Sequence, residues 1–100
     1  MFVHHVFFWL KEELTAADIQ KFEETVKTLP GISHVKTGDV GKPASTDRPV
    51  IDRSYSYSLL LVFENKENHD RYQVDPTHLK FIEACSSFWN KVQIYDSETV

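Results

Sequence analysis

The chain has 100 residues, 41% apolar residues and a formal net charge of −4, which fits one packed domain over residues 1–100 and excludes a disordered chain. Its lysines and arginines are scattered, so no basic stripe predicts a nucleic acid partner. The single cysteine excludes an internal disulfide, and the apolar run at residues 3–10 is too short for a membrane span, so we expect a cytoplasmic protein with no membrane partner.

The first predicted element is a strand over residues 2–10 that is apolar on both alternating faces. One face carries Val3, His5, Phe7 and Trp9, and the other carries His4, Val6, Phe8 and Leu10. A strand with two apolar faces is typically buried on both sides. We expect the first set to face helices and the second set to face another molecule.

A helix follows, because Thr15 predicts its N-cap and Asp18 stands three residues further on, as in a capping box. Its apolar positions recur at steps of three and four: Ile19, Phe22, Val26 and Leu29. Pro30-Gly31 ends this amphipathic helix.

Two strands come next, separated by a surface loop over residues 43–53. The first runs from Ile32 to Lys42, and its two glycines, at positions 38 and 41, indicate a bulge or a sheet edge. The second, Ser54 to Glu64, alternates clearly, with Leu60 and Val62 on one face. The opposite face, which we expect to meet the helices, carries Tyr55, Tyr57, Leu59, Leu61 and Phe63.

The remaining chain predicts two short helices and a final strand. Asn65 caps a helix through Val74, and Asp75-Pro76 ends it and begins another. The inward stripe of the second helix carries His78, Ile82, Cys85 and Trp89. Residues 92–95 form the last strand before a polar tail.

The order strand, helix, two strands, helix, strand predicts an α+β fold of the ferredoxin-like βαββαβ kind. Right-handed crossovers place both helices on one face of a four-stranded antiparallel sheet. The other face would expose Phe8, Leu10, Leu60 and Val62. An apolar surface of that size normally marks an interface, so we expect a homodimer with the two sheets packed face to face.

Four segments together resemble the stress-responsive dimeric α/β-barrel (Dabb) family. They are His4 to Leu10, Leu29-Pro30-Gly31-Ile32, Tyr72 with Asp75-Pro76-Thr77-His78, and Ser87-Phe88-Trp89. The resemblance covers nearly the whole chain and implies a ferredoxin-like protomer in a dimeric barrel. It does not fix an activity, because one fold supports many functions.

One branch of that family, a plant polyketide cyclase, implies candidate catalytic residues. Its histidine and tyrosine match His78 and Tyr72, and its first-strand pocket histidine is matched here by His5. Another pocket histidine, in the third strand, is replaced by Tyr57. The resemblance therefore implies a cofactor-free cyclase, isomerase or lyase, with His78 as general base and Tyr72 as hydrogen-bond donor. Fold analogy alone adds a cofactor-independent monooxygenase.

The residues leave two interpretations open. Either a pocket between sheet and helices holds an apolar or aromatic ligand without turnover, or His78 and Tyr72 perform catalysis there. The expected pocket residues are His5, Phe7, Trp9, Phe22, Tyr57 and Trp89. No cofactor is predicted, and no metal is predicted, because His4 and His5 lie on opposite faces of one strand. A cavity reached by both His78 and Tyr72 would favour the enzyme.

Overall fold

The structure is a computed structural model that describes residues 1–100, and its elements follow the predicted order. They are β1 (Phe2–Leu10), α1 (Ala16–Val26), β2 (Thr37–Gly41), β3 (Tyr57–Phe63), α2 (Lys66–Gln73), α3 (Pro76–Cys85) and β4 (Trp89–Glu98). Three strands differ from expectation. β3 begins at Tyr57 rather than Ser54 and ends at Phe63 rather than Glu64. β2 is shorter, because residues 32–36 form turns rather than strand, and β4 is longer and extends through the tail to Glu98.

The helices begin at the capping residues that the sequence indicates. The Thr15 hydroxyl accepts a hydrogen bond from the Asp18 backbone N–H at 3.1 Å, and the Asp18 carboxylate accepts one from the Thr15 N–H at 3.2 Å. The side chains of Asn65 and Asp75 each accept a backbone N–H at the start of α2 and α3. Pro76 occupies the first turn of α3, where a missing N–H costs nothing.

The four strands form one antiparallel sheet in the order β2-β3-β1-β4, which confirms the ferredoxin-like arrangement. β1 is central and pairs with both β3 and β4. Val6, for example, lies opposite Leu59 on one side and Ile94 on the other. β2 is an edge strand, as the glycines at positions 38 and 41 indicate.

The core lies between one sheet face and the three helices. The buried side chains of β1 and β3 in this core are Phe2, Val6, Phe8, Tyr57, Leu59, Leu61 and Phe63. Those of the helices are Phe22, Val26, Tyr72, Phe81 and Cys85. The predicted burial of Cys85 is confirmed. Burial is the main reason that the pKa of this thiol is raised, so the thiol is a poor nucleophile.

The predicted orientation of β1 is wrong. His4 and Phe8, expected on the open face, are buried toward the helices, while His5, Phe7 and Trp9 are only half-buried on the opposite face. Directly paired residues of antiparallel strands lie on the same face of the sheet. Phe8 is paired with Tyr57, so both lie on the same face. Both faces of β1 are apolar, so its sequence alone does not distinguish them; the register with β3 does.

The open sheet face is nevertheless apolar, as expected. The half-buried side chains that share it are Val3, Phe7, Trp9, Leu60 and Val62. Tyr55 extends the surface, with its ring 4.9 Å from that of Phe7 between centroids. Phe8 and Leu10, predicted for this face, pack in the core instead. No helix is long and apolar enough to cross a bilayer.

Candidate active site

A cavity of about 160 Å³ lies between the sheet and the helices α2 and α3. Its lining is mainly apolar. It consists of His4, Val6, Phe8, Leu29, Leu59, Tyr72, Gln73, His78, Phe81, Ile82, Trp89, Val92 and Ile94. The exposed side chains of Ile82, Val92 and Ile94 stand at its mouth, beside the edge strand β4. A few polar groups in a mostly apolar hollow are typical of small-molecule sites.

The turn between α2 and α3 brings Tyr72 and His78 together. Tyr72 lies in the last turn of α2 and His78 in the first turn of α3. Asp75 caps α3, and Pro76 supports the bend because its fixed φ suits a first helical turn. The two rings end with their centroids 4.7 Å apart. The predicted pair therefore meets at one cavity.

The hydrogen bond of His78 determines which of its nitrogens is basic. Its Nδ1 lies 3.0 Å from the backbone carbonyl oxygen of Gln73. A carbonyl only accepts, so Nδ1 carries the hydrogen and Nε2 of the neutral ring keeps a lone pair. Burial lowers the pKa of His78, and the hydrogen bond to Gln73 acts in the opposite direction. The ring is therefore neutral, and able to take up a proton, near pH 7.

Tyr72 supplies a hydroxyl that no protein group engages. The residue is 1% exposed, yet its hydroxyl has no hydrogen-bond partner within the chain and is not among the fully enclosed polar atoms. Burial raises the pKa of Tyr72 far above its ordinary value, and the charge of Asp75 adds to this. The phenol therefore stays protonated and is free to donate to a bound molecule.

His4 is a cavity residue that the sequence interpretation placed on the wrong face. It is 3% exposed, and its Nδ1 lies 2.6 Å from a carboxylate oxygen of Asp96 on β4. Because a carboxylate accepts, Nδ1 donates and Nε2 keeps the lone pair. Burial lowers the pKa of His4, and Asp96 partly offsets the effect. Asp96 lies beyond the predicted last strand, in what the sequence suggests is a polar tail.

The remaining predicted pocket residues fall into three groups. Trp89 lines the cavity as expected. Phe22 and Tyr57 do not line it, because they are buried in the adjoining core; the Tyr57 hydroxyl donates to Glu23 at 2.7 Å, and burial together with this bond raises the pKa of Tyr57 to about 12. The third group, His5, Phe7 and Trp9, lies on the opposite sheet face, so these residues cannot reach the cavity.

Two other pockets lack a comparable set of proton-transfer groups. Phe7 and Trp9 border one of about 210 Å³ on the open sheet face, together with Tyr55, Lys91 and Tyr95. Another, of about 460 Å³, is a shallow surface lined only by residues 16–27. Neither contains a histidine, so proton transfer near neutral pH points to the cavity beside His78.

One cluster of residues has the composition of a metal site. A ring nitrogen of His4, a ring nitrogen of His69 and a carboxylate oxygen of Asp96 lie within 4.8 Å of one another. The sequence predicts no metal site, because its only adjacent histidines, His4 and His5, lie on opposite faces of one strand. The members come from β1, α2 and β4, and no local spacing connects them.

Comparison with known proteins gives one family match. The model of the stress responsive A/B barrel domain matches residues 2–99. The olivetolic acid cyclase of Cannabis sativa is 28% identical over 98 residues, covering 93% of this chain and 91% of the cyclase. That cyclase supports the family likeness and carries no reaction over to this chain by itself.

Many solved structures share the fold. Protein At3g17210 of Arabidopsis thaliana superposes with a TM-score of 0.80 at 20% identity, over 100% of this chain and 96% of that chain. A dimeric ferredoxin-like protein from Thermobifida fusca superposes with a TM-score of 0.79 at 14% identity, over 98% of this chain and 90% of that chain. At these identities the similarity supports the fold alone.

Proposed function

Because the chain belongs to the stress responsive A/B barrel domain (Dabb) family, we propose that it forms a homodimer and performs cofactor-free acid–base chemistry of the cyclase, isomerase or lyase kind. The substrate is a small, largely apolar carbonyl compound. One observation carries the proposal: His78 and His4, each with Nδ1 already engaged, line the same cavity as the unpartnered hydroxyl of Tyr72.

The proposed reaction begins with proton removal by His78. Its Nε2 takes a proton from a carbon next to a carbonyl group, and the electron pair of that C–H bond delocalises onto the carbonyl oxygen. The Tyr72 hydroxyl donates a hydrogen bond to this oxygen as it gains charge. In a cyclase the carbon then attacks a second carbonyl, whose oxygen takes the proton from His78. In an isomerase His78 returns the proton to a different carbon of the enolate. In a lyase the electron pair expels a group from the neighbouring carbon, and that group takes the proton. Electrons balance without an oxidant or reductant.

His4 supplies a second proton carrier in this mechanism. Its ring centroid lies 6.1 Å from that of Tyr72, and Asp96 holds Nδ1 so that Nε2 is the free nitrogen. A base whose partner fixes both tautomer and orientation is a recurring arrangement in acid–base catalysis. His4 therefore acts on the oxygen or carbon that His78 does not reach.

The size and lining of the cavity limit the substrate. A volume of about 160 Å³ is close to that of an engineered apolar cavity that binds benzene, roughly 150 Å³. The reacting part of the substrate is thus about the size of one aromatic ring. A longer apolar substituent would extend out of the cavity along the exposed side chains of Ile82, Val92 and Ile94.

The 28% identical relative is named as a cyclase, and this supports the reaction class. It does not support the same substrate, because Tyr57 is buried in this chain with its hydroxyl bonded to Glu23. The geometry supports the choice of His78, His4 and Tyr72 as the proton-transfer groups, rather than the identity of the ring formed.

The dimer is proposed from the open sheet face. Phe7, Trp9, Leu60 and Val62 form an apolar surface that the helices cannot reach. Packing it against the same face of a second copy, about 10 Å away, would remove this surface from water. The Thermobifida fusca protein of similar fold is described as dimeric.

Ligand binding without turnover is the second candidate. The bond from His78 to the Gln73 carbonyl also closes the turn between α2 and α3, and that structural role requires no chemistry. Under this alternative the cavity holds an apolar molecule, and replacing His78 weakens the turn without affecting any reaction.

Exchange of carbon-bound hydrogen separates the two candidates. Phenylacetone is a suitable probe, since it has one ring and an acidic C–H next to a carbonyl. We expect the protein to accelerate exchange of that hydrogen in D₂O, followed by NMR. His78→Asn should remove the acceleration, because Asn retains a donor for the Gln73 carbonyl and lacks the basic nitrogen. Tyr72→Phe should reduce it about 100-fold.

His34→Ala is the matched control, because His34 lies outside the cavity. This variant should exchange phenylacetone as fast as the unmodified protein. If His78→Asn exchanges equally fast, His78 is not the base. If the unmodified protein binds phenylacetone but never accelerates its exchange, the binding function is favoured.

A further inference from the structure

We propose that His4, His69 and Asp96 bind a divalent transition-metal ion of the zinc class at the edge of the cavity. One potential ligand atom from each residue lies within 4.8 Å of the other two. Two imidazoles and one carboxylate form a donor set that suits zinc, cobalt or nickel. Magnesium and calcium prefer oxygen ligands, so we do not expect them here.

The hydrogen bonds of His69 leave one of its ring nitrogens available to a metal ion. Its Nδ1 lies 3.1 Å from a carboxylate oxygen of Asp70, so Nδ1 donates. Its Nε2 lies 3.1 Å from the side-chain amide nitrogen of Gln73, which can only donate, so Nε2 has a lone pair. In metal sites the ring N–H of a bound histidine is usually held by a carboxylate, which fixes the orientation of the ring.

The position of the His69 ring is supported by packing as well. The ring stacks on Phe2 with centroids 4.4 Å apart and lies 4.9 Å from the ring of His4. Its side chain is only 12% exposed. A ligand held in this way loses little conformational entropy when an ion binds. The side-chain amide of Gln73 must release its hydrogen bond to Nε2 of His69 when the ion binds. Gln73 is only half-buried, so rotation of its side chain can do this.

Asp96 provides both a ligand and a route of entry. Tetrahedral bonds of about 2.0–2.1 Å place ligand atoms about 3.3 Å apart, so the groups must adjust by roughly 1 Å around the ion. The Asp96 side chain is 41% exposed on the edge strand β4 and is free to move. An ion bound by both His4 and Asp96 replaces their hydrogen bond, and any displaced proton passes to solvent. Water completes the coordination.

The metal site and the proposed reaction share His4. An ion bound at Nδ1 of His4 leaves the ring hydrogen on Nε2. Nε2 then has no lone pair to accept a proton, so the ion would slow the reaction. That consequence rests on the proposed function, whereas the binding itself does not. Binding is therefore the property to measure, and a failure to bind would leave the proposed reaction untouched.

The experiment titrates the metal-free protein with Zn²⁺ in competition with a chromogenic chelator. We expect one ion per chain. Both His69→Ala and Asp96→Ala should weaken binding by about tenfold or more, since each removes one ligand. His34→Ala should retain the affinity. Circular dichroism of each variant checks that the fold is intact, and the partly exposed Asp96 is the safer of the two substitutions.

Co²⁺ provides an independent measurement, because tetrahedral cobalt absorbs visible light far more strongly than octahedral cobalt. The unmodified protein should give the intense bands, and His69→Ala should lose them. Equal Zn²⁺ affinity in His69→Ala and the unmodified protein would overturn the proposal. A loss of binding in His78→Asn with none in His69→Ala would also overturn it, because the ion would then lie between other residues.

Discussion

The carboxylate of Asp96 lies 2.6 Å from Nδ1 of His4, although the two residues are 92 positions apart in the chain. They meet because β4 pairs with β1 in a register that sets Asp96 directly opposite His4. The contact brings a charged group from the end of the chain to a buried imidazole near its start. It determines which nitrogen of His4 keeps a lone pair, and both proposals use these two residues.

Removing the Asp96 carboxylate should change the tautomer of His4. In the unmodified protein we expect the hydrogen on Nδ1, and in Asp96→Ala that preference should disappear because the acceptor is gone. The free energy of unfolding should fall by about 1 kcal/mol, a modest value because Asp96 is partly exposed. Imidazole ¹⁵N NMR reports the tautomer, and urea denaturation reports the stability.

Asp96→Asn is the control for that experiment. Its side-chain carbonyl still accepts a hydrogen bond, so the Nδ1–H form of His4 should persist. If Asp96→Ala also retains that form with unchanged stability, the contact does not set the tautomer in solution.

The stability of the protein should fall with acid in a way that depends on His78. Burial lowers the pKa of His78 in the folded state below its unfolded value of about 6.5. The contribution of neutral His78 to the free energy of unfolding is therefore complete above about pH 6.5. It is lost as the pH falls through the lower pKa of the folded state. The titratable groups that influence His78 or line the same cavity are His4, His69, Tyr72 and Asp75.

His78→Asn removes this contribution, so the difference in unfolding free energy between the unmodified protein and the variant should shrink as the pH falls below about 6.5. Urea denaturation at several pH values measures the difference. A difference that grows as the pH falls would mean that folding raises the pKa of His78.

Gly38 should not tolerate a side chain. A Cβ atom there would lie 2.7 Å from a methyl carbon of Leu61 and 2.8 Å from the backbone oxygen of Leu60. That oxygen belongs to the sheet and cannot easily move, so Gly38→Ala should destabilise the protein by about 1–3 kcal/mol. At Gly31 a Cβ atom would meet nothing within 4 Å.

Gly31→Ala is therefore the matched control, and it should leave stability unchanged or raise it by about 0.5 kcal/mol, since it restricts the unfolded chain. Urea denaturation of the two variants provides the comparison. Equal free energies of unfolding for Gly38→Ala and Gly31→Ala would show that β2 and β3 separate enough to admit a methyl group.

A charge on the open sheet face should separate the proposed dimer. Phe7 is half-buried on that face and contributes nothing to the core. Phe7→Asp should yield a folded monomer in sedimentation velocity experiments, while Ile19→Asp, on the exposed side of α1, should behave as the unmodified protein does. Identical masses for Phe7→Asp and the unmodified protein would contradict the proposed interface.

Local patterns predicted the elements well because their causes are local. The capping box of Thr15 and Asp18 and the Asp75-Pro76 start of α3 need only neighbouring residues. Alternation likewise identified the buried face of β3. The predicted β2 was too long, because a valine at position 35 also fits a turn whose apolar side chain packs on the core.

The candidate site was only partly predictable. Tyr72 and His78 belong to one contiguous segment, so their meeting follows from the bend at Pro76. His5, Phe7 and Trp9 were placed on the wrong face because β1 has two apolar faces with nothing in its own residues to rank them. A single-residue shift in strand register exchanges the two faces completely.

The amino-acid sequence by itself determined the order of elements, the helix starts, an apolar sheet face and the pairing of Tyr72 with His78. Only the tertiary structure decided that His4 rather than His5 lines the cavity, and that Asp96 and His69 lie next to His4. The physical reason is that helix caps and alternation depend on interactions within a few residues. Strand register depends on the packing of side chains from distant segments, and no short stretch of the chain contains that information.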